Sequence, residues 1–246
     1  MEAVKTVGFD TSTDETVVAA ADGGSTLFER IVPPGDRRPL HSQVLLGLVD
    51  EAADRLGGWQ SVERIAVGIG PGTFTGIRIG VATAGGLSAS TGVPATGVST
   101  LKALALSISE SARNSGNVLP LLDAKRGEVF GCLHGPDGTP LGEAFACIPE
   151  ELSSKLAEHI GDPSALLVAG PGAIRFRDEL LRAGLVVEPD GSPVHRLAGR
   201  PFCDLGAAAE AVGPETLKPL YLRKPDAQLW LERDKNADQA SKRTGR

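Results

Sequence analysis

The stretch Arg64-Ile65-Ala66-Val67-Gly68-Ile69-Gly70-Pro71-Gly72-Thr73-Phe74-Thr75-Gly76-Ile77-Arg78-Ile79-Gly80 joins a strand to a helix through a glycine turn. Its β-branched Ile65, Val67 and Ile69 are consistent with a buried strand, and Gly70-Pro71-Gly72 breaks the strand. Thr73 or Thr75 then offers a side-chain oxygen to cap the helix. Along that helix Gly76, Gly80 and Ala84 recur at every fourth position. That spacing lines them up on one face and leaves a groove that another backbone or helix can approach closely.

Three readings of the groove compete. A glycine turn at a helix start can hold phosphate with backbone N–H groups. A phosphate loop, however, needs Lys followed by Ser or Thr, where this chain has Gly76-Ile77-Arg78, and no G-x-G-x-x-G pattern fits the turn. The small residues can instead let the helix sit close to its own sheet. The third reading is a helix–helix interface with another subunit, in which close approach replaces bulky side chains.

Upstream of this stretch, residues 4–10, 15–21 and 25–32 read as strands separated by Asp, Thr and Gly turns. Residues 41–56 place Val44, Leu45, Leu48, Val49, Ala52, Ala53 and Leu56 at helical spacing, and Gly57-Gly58 stops that helix. Downstream come a strand over 95–98, a helix over 101–111, and strands over 118–122, 128–133 and 141–147. A helix over 149–160 and a buried strand over 166–169 follow, and a second Gly-Pro-Gly at Gly170–Gly172 suggests a duplicated lobe. Alanine-rich 204–212 reads as a helix returning to the first lobe. From Glu232 the chain is polar without periodicity, which predicts a disordered tail over 232–246. The pattern alone defines the class as α/β.

Four segments, in order, carry a family resemblance. Gly70 through Ala89 resembles the signature segment of the bacterial TsaB (YeaZ) family, and Val7-Gly8-Phe9-Asp10-Thr11-Ser12-Thr13 resembles its opening strand and Asp-Thr turn. Asp123-Ala124-Lys125-Arg126-Gly127-Glu128-Val129-Phe130 resembles its central Asp-Ala-Arg-x-Gly-Glu-Val-Tyr motif, and Pro219-Leu220-Tyr221-Leu222-Arg223 its closing Pro-x-Tyr-Leu-Arg. The resemblance implies a degenerate actin-like ATPase and sugar kinase fold of two similar lobes. The first lobe then covers 1–100 with a returning segment 203–227, and the second covers 101–202.

The resemblance also implies a noncatalytic subunit of the complex that moves threonylcarbamoyl from threonylcarbamoyl-adenylate to the N6 of an adenosine beside the anticodon of tRNA. Implied partners are a metal-bearing catalytic subunit, TsaD, and a small ATPase, TsaE. The family self-associates when TsaD is absent, and tRNA is met only within the complex. A partner interface is expected at Leu45, Leu48, Gly76, Ile77, Gly80, Val81 and Ala84, in a bundle of the 41–56 and 75–90 helices with those of the partner. Asp10, Lys125 and Arg126 are the candidate contacts to a nucleotide or to tRNA held near the partner.

No catalytic residue, metal ligand or cofactor is expected. The catalytic relatives use a His-x-x-x-His pair, whereas His41, His134, His159 and His195 stand far apart. His41 reads as a surface residue at a helix start. Asp10 with Thr11, Ser12 and Thr13 stands where actin-like ATPases meet phosphate and magnesium, so an ATP-dependent phosphotransferase of the sugar kinase type is the alternative. The competing reading of the same residues is a tight turn capped by local hydrogen bonds. The crowded charges at 123–128 fit either a solvated hairpin or cations reaching an anion.

Composition agrees with these expectations. The chain has 246 residues and a formal net charge of −6, and that acidity argues against it gripping tRNA phosphates unaided. Its three cysteines are too scattered for a disulfide framework or a zinc site and read as small buried hydrophobes. No signal peptide or membrane span is read from the sequence, which points to the cytoplasm.

Overall fold

The structure, a computed structural model, describes residues 3–36, 38–112, 116–156, 166–210 and 213–223. The expected tail over 232–246 lies outside the described residues, as does 224–227 of the expected returning segment. Two five-stranded sheets form the frame.

The first sheet contains β1 (Lys5–Asp10), β2 (Thr16–Asp22), β3 (Ser25–Val32), β4 (Arg64–Gly70) and β5 (Ala95–Ser99), in the order β3-β2-β1-β4-β5. The first three strands pair antiparallel, and β4 and β5 add in parallel. Val7 and Phe9 of β1, Val18 and Ala20 of β2, and Ile65 and Val67 of β4 point to one face. There α1 (His41–Arg55) covers them with Leu45, Val49, Ala52 and Ala53, and α2 (Phe74–Thr91) covers them with Ala84. Alternation along the strands separates this layer from the opposite face, where Ala19 and Ala21 meet Cys203 of α7 (Arg200–Ala208). Arg64 anchors α7 by donating to the Gly206 and Ala209 carbonyls at 3.3 and 2.8 Å.

The second sheet repeats the plan. Its strands are β6 (Val118–Lys125), β7 (Glu128–Gly131), β8 (Phe145–Cys147), β9 (Leu167–Ala169) and β10 (Val186–Val187), in the order β10-β9-β6-β7-β8. Again the first three pair antiparallel and the last two add in parallel. Short α4 (Leu152–Leu156) precedes β9, and α5 (Pro171–Arg175) and α6 (Arg177–Arg182) lie between β9 and β10. Between the sheets, α3 (Thr100–Ala112) contributes Leu101, Leu104 and Ile108 to a core shared with Phe130 of β7 and Phe202 of α7.

Of the strand expected over 141–147 a continuous ladder forms only over Phe145–Cys147, and the start of the segment is held by an isolated pairing, with the Leu141 N–H donating to the Leu133 carbonyl at 2.8 Å. The elements α5, α6 and β10 are too short for their periodicity to be read from sequence.

Candidate functional site

Thr73 caps α2 by accepting the Gly76 N–H at 3.3 Å, and its own N–H donates to the Ser12 carbonyl at 2.7 Å. This seats the helix start on the turn after β1. A Cβ on Gly76 would stand 1.9 Å from the Thr11 carbonyl oxygen, and one on Gly80 would stand 2.7 Å from Thr11 Oγ1. Thr11 Oγ1 also donates to the Gly76 carbonyl at 2.7 Å. The small-residue stripe is therefore consumed within the chain, where it lets α2 lie against β1 and β4.

Of the residues expected at a partner interface, Ile77 is 1% exposed, and Gly76, Gly80 and Ala84 are buried against the sheet. Leu45 belongs to the same core at 2%. Leu48 and Val81 are partly exposed at its rim.

Part of the outward surface of the two helices is apolar and low in relief, flanked by exposed Gln43, Asp50 and Asp54 of α1. Leu46 on α1 is 64% exposed, and Ala82, Gly86 and Ala89 on α2 are exposed. A Cβ added to Gly47, Gly85 or Gly86 would meet nothing within 4 Å. Leu46, Gly47, Asp50, Trp59 and Leu87 line a shallow groove here, and Trp59 Nε1 donates to Asp50 at 3.0 Å to fix one wall. Sequence reasoning missed Leu46 as a surface residue. Its signal was phase: Leu45, Val49 and Ala52 complete the core stripe, and Leu46 falls one position off it.

Asp10 ends β1 with 0% exposure. Its Oδ1 accepts the Ser12 N–H at 2.8 Å, and its Oδ2 accepts the Thr100 hydroxyl at 2.8 Å. The Ser12 hydroxyl lies within 2.9 and 3.0 Å of the two oxygens. Burial pushes the carboxyl above its ordinary pKa, and the hydrogen bonds from Thr100 and Ser12 work against that rise. Asp10, the expected nucleotide or tRNA contact, is enclosed, and its carboxylate ties the β1 turn to the start of α3.

His41, expected at the surface, is buried at the start of α1. Its Nδ1 lies 2.8 Å from Thr16 Oγ1 and its Nε2 lies 3.1 Å from the Thr13 carbonyl, so the ring braces the turn over 12–15.

That turn faces the second sheet across a cleft of about 480 Å³, lined by Thr13, Asp14, Glu15, Asp123, Lys125 and Arg196 among others. Lys125 bridges the walls, with its ammonium 2.8 Å from Asp14 and 3.2 Å from Asp123. Burial alone would lower the Lys125 pKa, but the ion pairs outweigh it and hold the group above its ordinary value. Arg126 and Gly127, with φ of 56° and 82°, are the two central residues of the hairpin turn closed by Lys125 and Glu128, and Lys125 itself is left-handed at 61°, beside the register shift after Asp123. Asp123 holds the turn by accepting the Lys125 N–H at 2.7 Å. Arg126 is exposed at the tip. Among the described residues no cluster of three or more His, Cys, Asp or Glu side chains could hold a metal ion, and no helix is long and apolar enough to cross a membrane.

Burial holds His41 and His134 below the ordinary imidazole value of 6.5, against hydrogen bonds to the Thr13 and Cys132 carbonyls that favour the charged ring. Between 6.5 and the lowered value the unfolded chain takes up protons that the folded chain refuses, so stability falls as pH drops through that window. Urea midpoints at pH 7.5 and 5.5 are expected to show the loss, and His41→Gln should shrink the difference between them. An undiminished difference in that variant would exclude His41 as a source.

Two lobes with the same βββ-α-β-α-β order, joined across a cleft, define the actin-like ATPase and sugar kinase fold. Within it, the chain belongs to the TsaB (YeaZ) family. It is 39% identical over 185 residues to the Bacillus subtilis tRNA threonylcarbamoyladenosine biosynthesis protein TsaB, covering 72% of this chain and 76% of that protein. To the Escherichia coli protein of the same name it is 28% identical over 233 residues, 89% of this chain and 95% of the relative. The solved structure of YeaZ from Pseudomonas aeruginosa superposes with a TM-score of 0.68 at 25% identity, covering 88% of this chain and all (100%) of that one. Residues 29–188 also match the family model TsaD, tRNA N6-adenosine threonylcarbamoyltransferase.

Proposed function

We propose that this chain is a noncatalytic subunit of a cytoplasmic assembly that transfers threonylcarbamoyl from threonylcarbamoyl-adenylate to the N6 of an adenosine in tRNA. It acts by docking a TsaD-type catalytic subunit on the outer faces of α1 and α2. A TsaE-type ATPase joins the assembly, and a second copy of this chain takes the docking face when the catalytic subunit is absent. The observation that carries the reading is the low apolar face around Leu46, Ala82, Gly86 and Leu87, with Leu46 64% exposed. Soluble chains rarely leave such a patch without a partner.

A phosphotransferase of the sugar kinase type is disfavoured, because Asp10 would have to meet a hydrated metal and both its oxygens are enclosed and hydrogen-bonded. The chain alone is expected neither to hydrolyse ATP nor to modify tRNA.

Leu46→Asp tests the docking face. The side chain points to solvent, so the isolated variant should melt with the wild type. A desolvated charge at the centre of an interface costs about 2 kcal/mol or more, which corresponds to a loss of tenfold or more in affinity for the catalytic subunit by calorimetry. Unchanged affinity would sink the proposed face.

A further inference from the structure

A cluster at the start of α2 is left unassigned by this reading. Arg78 lays its guanidinium 3.8 Å from the centroid of the Phe74 ring, and the Phe74 and Tyr221 rings lie 5.1 Å apart at 31°. Arg78 Nε donates to the Tyr221 hydroxyl at 3.1 Å. Arg78 is exposed and Tyr221 is 37% exposed, so a cation and two rings form an ordered platform facing water.

The segment carrying Tyr221 is tied down on both sides. The Leu220 N–H donates to the Ile69 carbonyl at 2.8 Å. Arg223 pairs with Glu128 and donates to the Ala124 carbonyl at 3.1 Å. Tyr221 is two residues from Arg223, a reach of about 7 Å at most. The platform therefore sits beside the hairpin whose left-handed turn raises exposed Arg126.

On a chain of net charge −6 this corner gathers cations and aromatic rings. Planar guanidinium and phenol groups offer π surfaces on which any base stacks, and the arginines attract the phosphates between bases.

We infer that Phe74, Arg78 and Tyr221 form an RNA-contact surface that holds one or two unpaired nucleotides. That the RNA is tRNA rests on the assembly proposed above; that a base stacks here rests on the geometry of the platform. The chain's overall acidity makes the contact weak in isolation. It gains strength only when a partner holds the rest of the RNA.

Two experiments test it. In the first, complexes of a TsaD-type subunit with wild-type, Arg78→Gln, Tyr221→Leu or Tyr221→Phe chain are titrated with a fluorescein-labelled tRNA transcript at several salt concentrations. Pairing of the subunits should persist in all four. Affinity for tRNA should fall about tenfold for Arg78→Gln and Tyr221→Leu, and the phenylalanine variant, which keeps the ring, should stay close to wild type. The salt slope should drop by about one for Arg78→Gln and stay unchanged for Tyr221→Leu. Intact pairing with unchanged tRNA affinity overturns the inference. Loss of pairing also overturns it, since the platform would then belong to the protein interface.

In the second experiment the chain alone is irradiated with an oligouridine carrying 4-thiouridine, and the crosslinked peptides are sequenced. Crosslinks at residues 74–78 and 221–223 are expected, and their absence or their placement elsewhere overturns the inference. If the wild-type chain fails to pair with the catalytic subunit, the assembly reading falls, and the crosslinking result still decides whether RNA meets the platform.

Discussion

Gly76→Ala is expected to destabilise the chain severely, whereas Gly86→Ala on the same helix is expected to stabilise it. Helix propensity favours alanine over glycine by about 1 kcal/mol at both positions, so propensity alone predicts the same sign for each. Packing separates them. A methyl on Gly76 would stand 1.9 Å from the Thr11 carbonyl oxygen and 2.6 Å from Thr73 Oγ1, and the first of these is backbone that cannot swing aside. Relief requires lifting α2 from β1, which breaks the Thr11 bond to the Gly76 carbonyl and the Thr73 cap. Overpacking of this kind, with a lost cap, costs about 2–4 kcal/mol out of a typical total of about 5–15. A methyl on Gly86 meets nothing within 4 Å and keeps the propensity gain. Urea unfolding of the two isolated variants gives the comparison directly. If Gly76→Ala melts like the wild type, the stripe does not face the sheet, and the interface on the opposite side of α2 is misplaced with it.

The same pair of glycines shows what the sequence could and could not disclose. Spacing at every fourth residue says that Gly76, Gly80 and Ala84 share a face, and it says so equally for a helix on its own sheet and for a helix on a partner. The residue that decides between them is Thr11, which is 65 positions from Gly76 and touches it only once the chain is folded. Elements long enough to show a period were legible: β1 to β5, α1, α2 and α3 lie where alternation or helical spacing places them. The second Gly-Pro-Gly at Gly170–Gly172 marked the duplication, because both turns follow the first parallel strand added to their sheet.

Elements of a few residues, such as β10 and α5, carry no period and were not legible. Nor was the cleft. Asp14, Asp123 and Lys125 meet only because two turns from separate lobes face each other, and each residue alone reads as a solvated surface charge. His41 went the same way: its place at a helix start suggested exposure, and only Thr13 and Thr16, folded back from β2, enclose it.

Asp10→Ala is the other substitution expected to cost most, and its comparison with Asp10→Asn separates shape from charge. Alanine leaves the Ser12 N–H without its acceptor in a fully buried pocket, and of the Ser12 and Thr100 hydroxyls, 2.9 Å apart, one can donate to the other while the second is stranded. Each stranded buried donor costs about 1–3 kcal/mol, so a total loss of about 3 kcal/mol or more is expected at any pH where the protein is otherwise stable. Gly68 shows how closely the pocket is cut to the carboxylate, since a Cβ there would stand 1.7 Å from Asp10 Oδ2.

Asparagine keeps that shape and one acceptor oxygen, and the hydroxyl of Thr100 can rotate to accept from the amide. Its cost should depend on pH, because burial raises the Asp10 pKa in the folded chain above the ordinary 3.8. A raised folded value means that the stabilisation by the bound proton is complete below 3.8 and is lost as pH rises through the folded value. Wild type therefore loses stability over that interval while the asparagine variant, having no proton to release, does not. The gap between them is expected to be widest near pH 4 and to narrow toward pH 7, whereas the alanine variant stays far below both. Urea midpoints of the three chains across that range provide the measurement. A gap between wild type and Asp10→Asn that widens toward neutral pH would mean that the ionised carboxylate is stabilising, that hydrogen bonds from Ser12 and Thr100 outweigh its desolvation, and that the pocket is built to hold a charge.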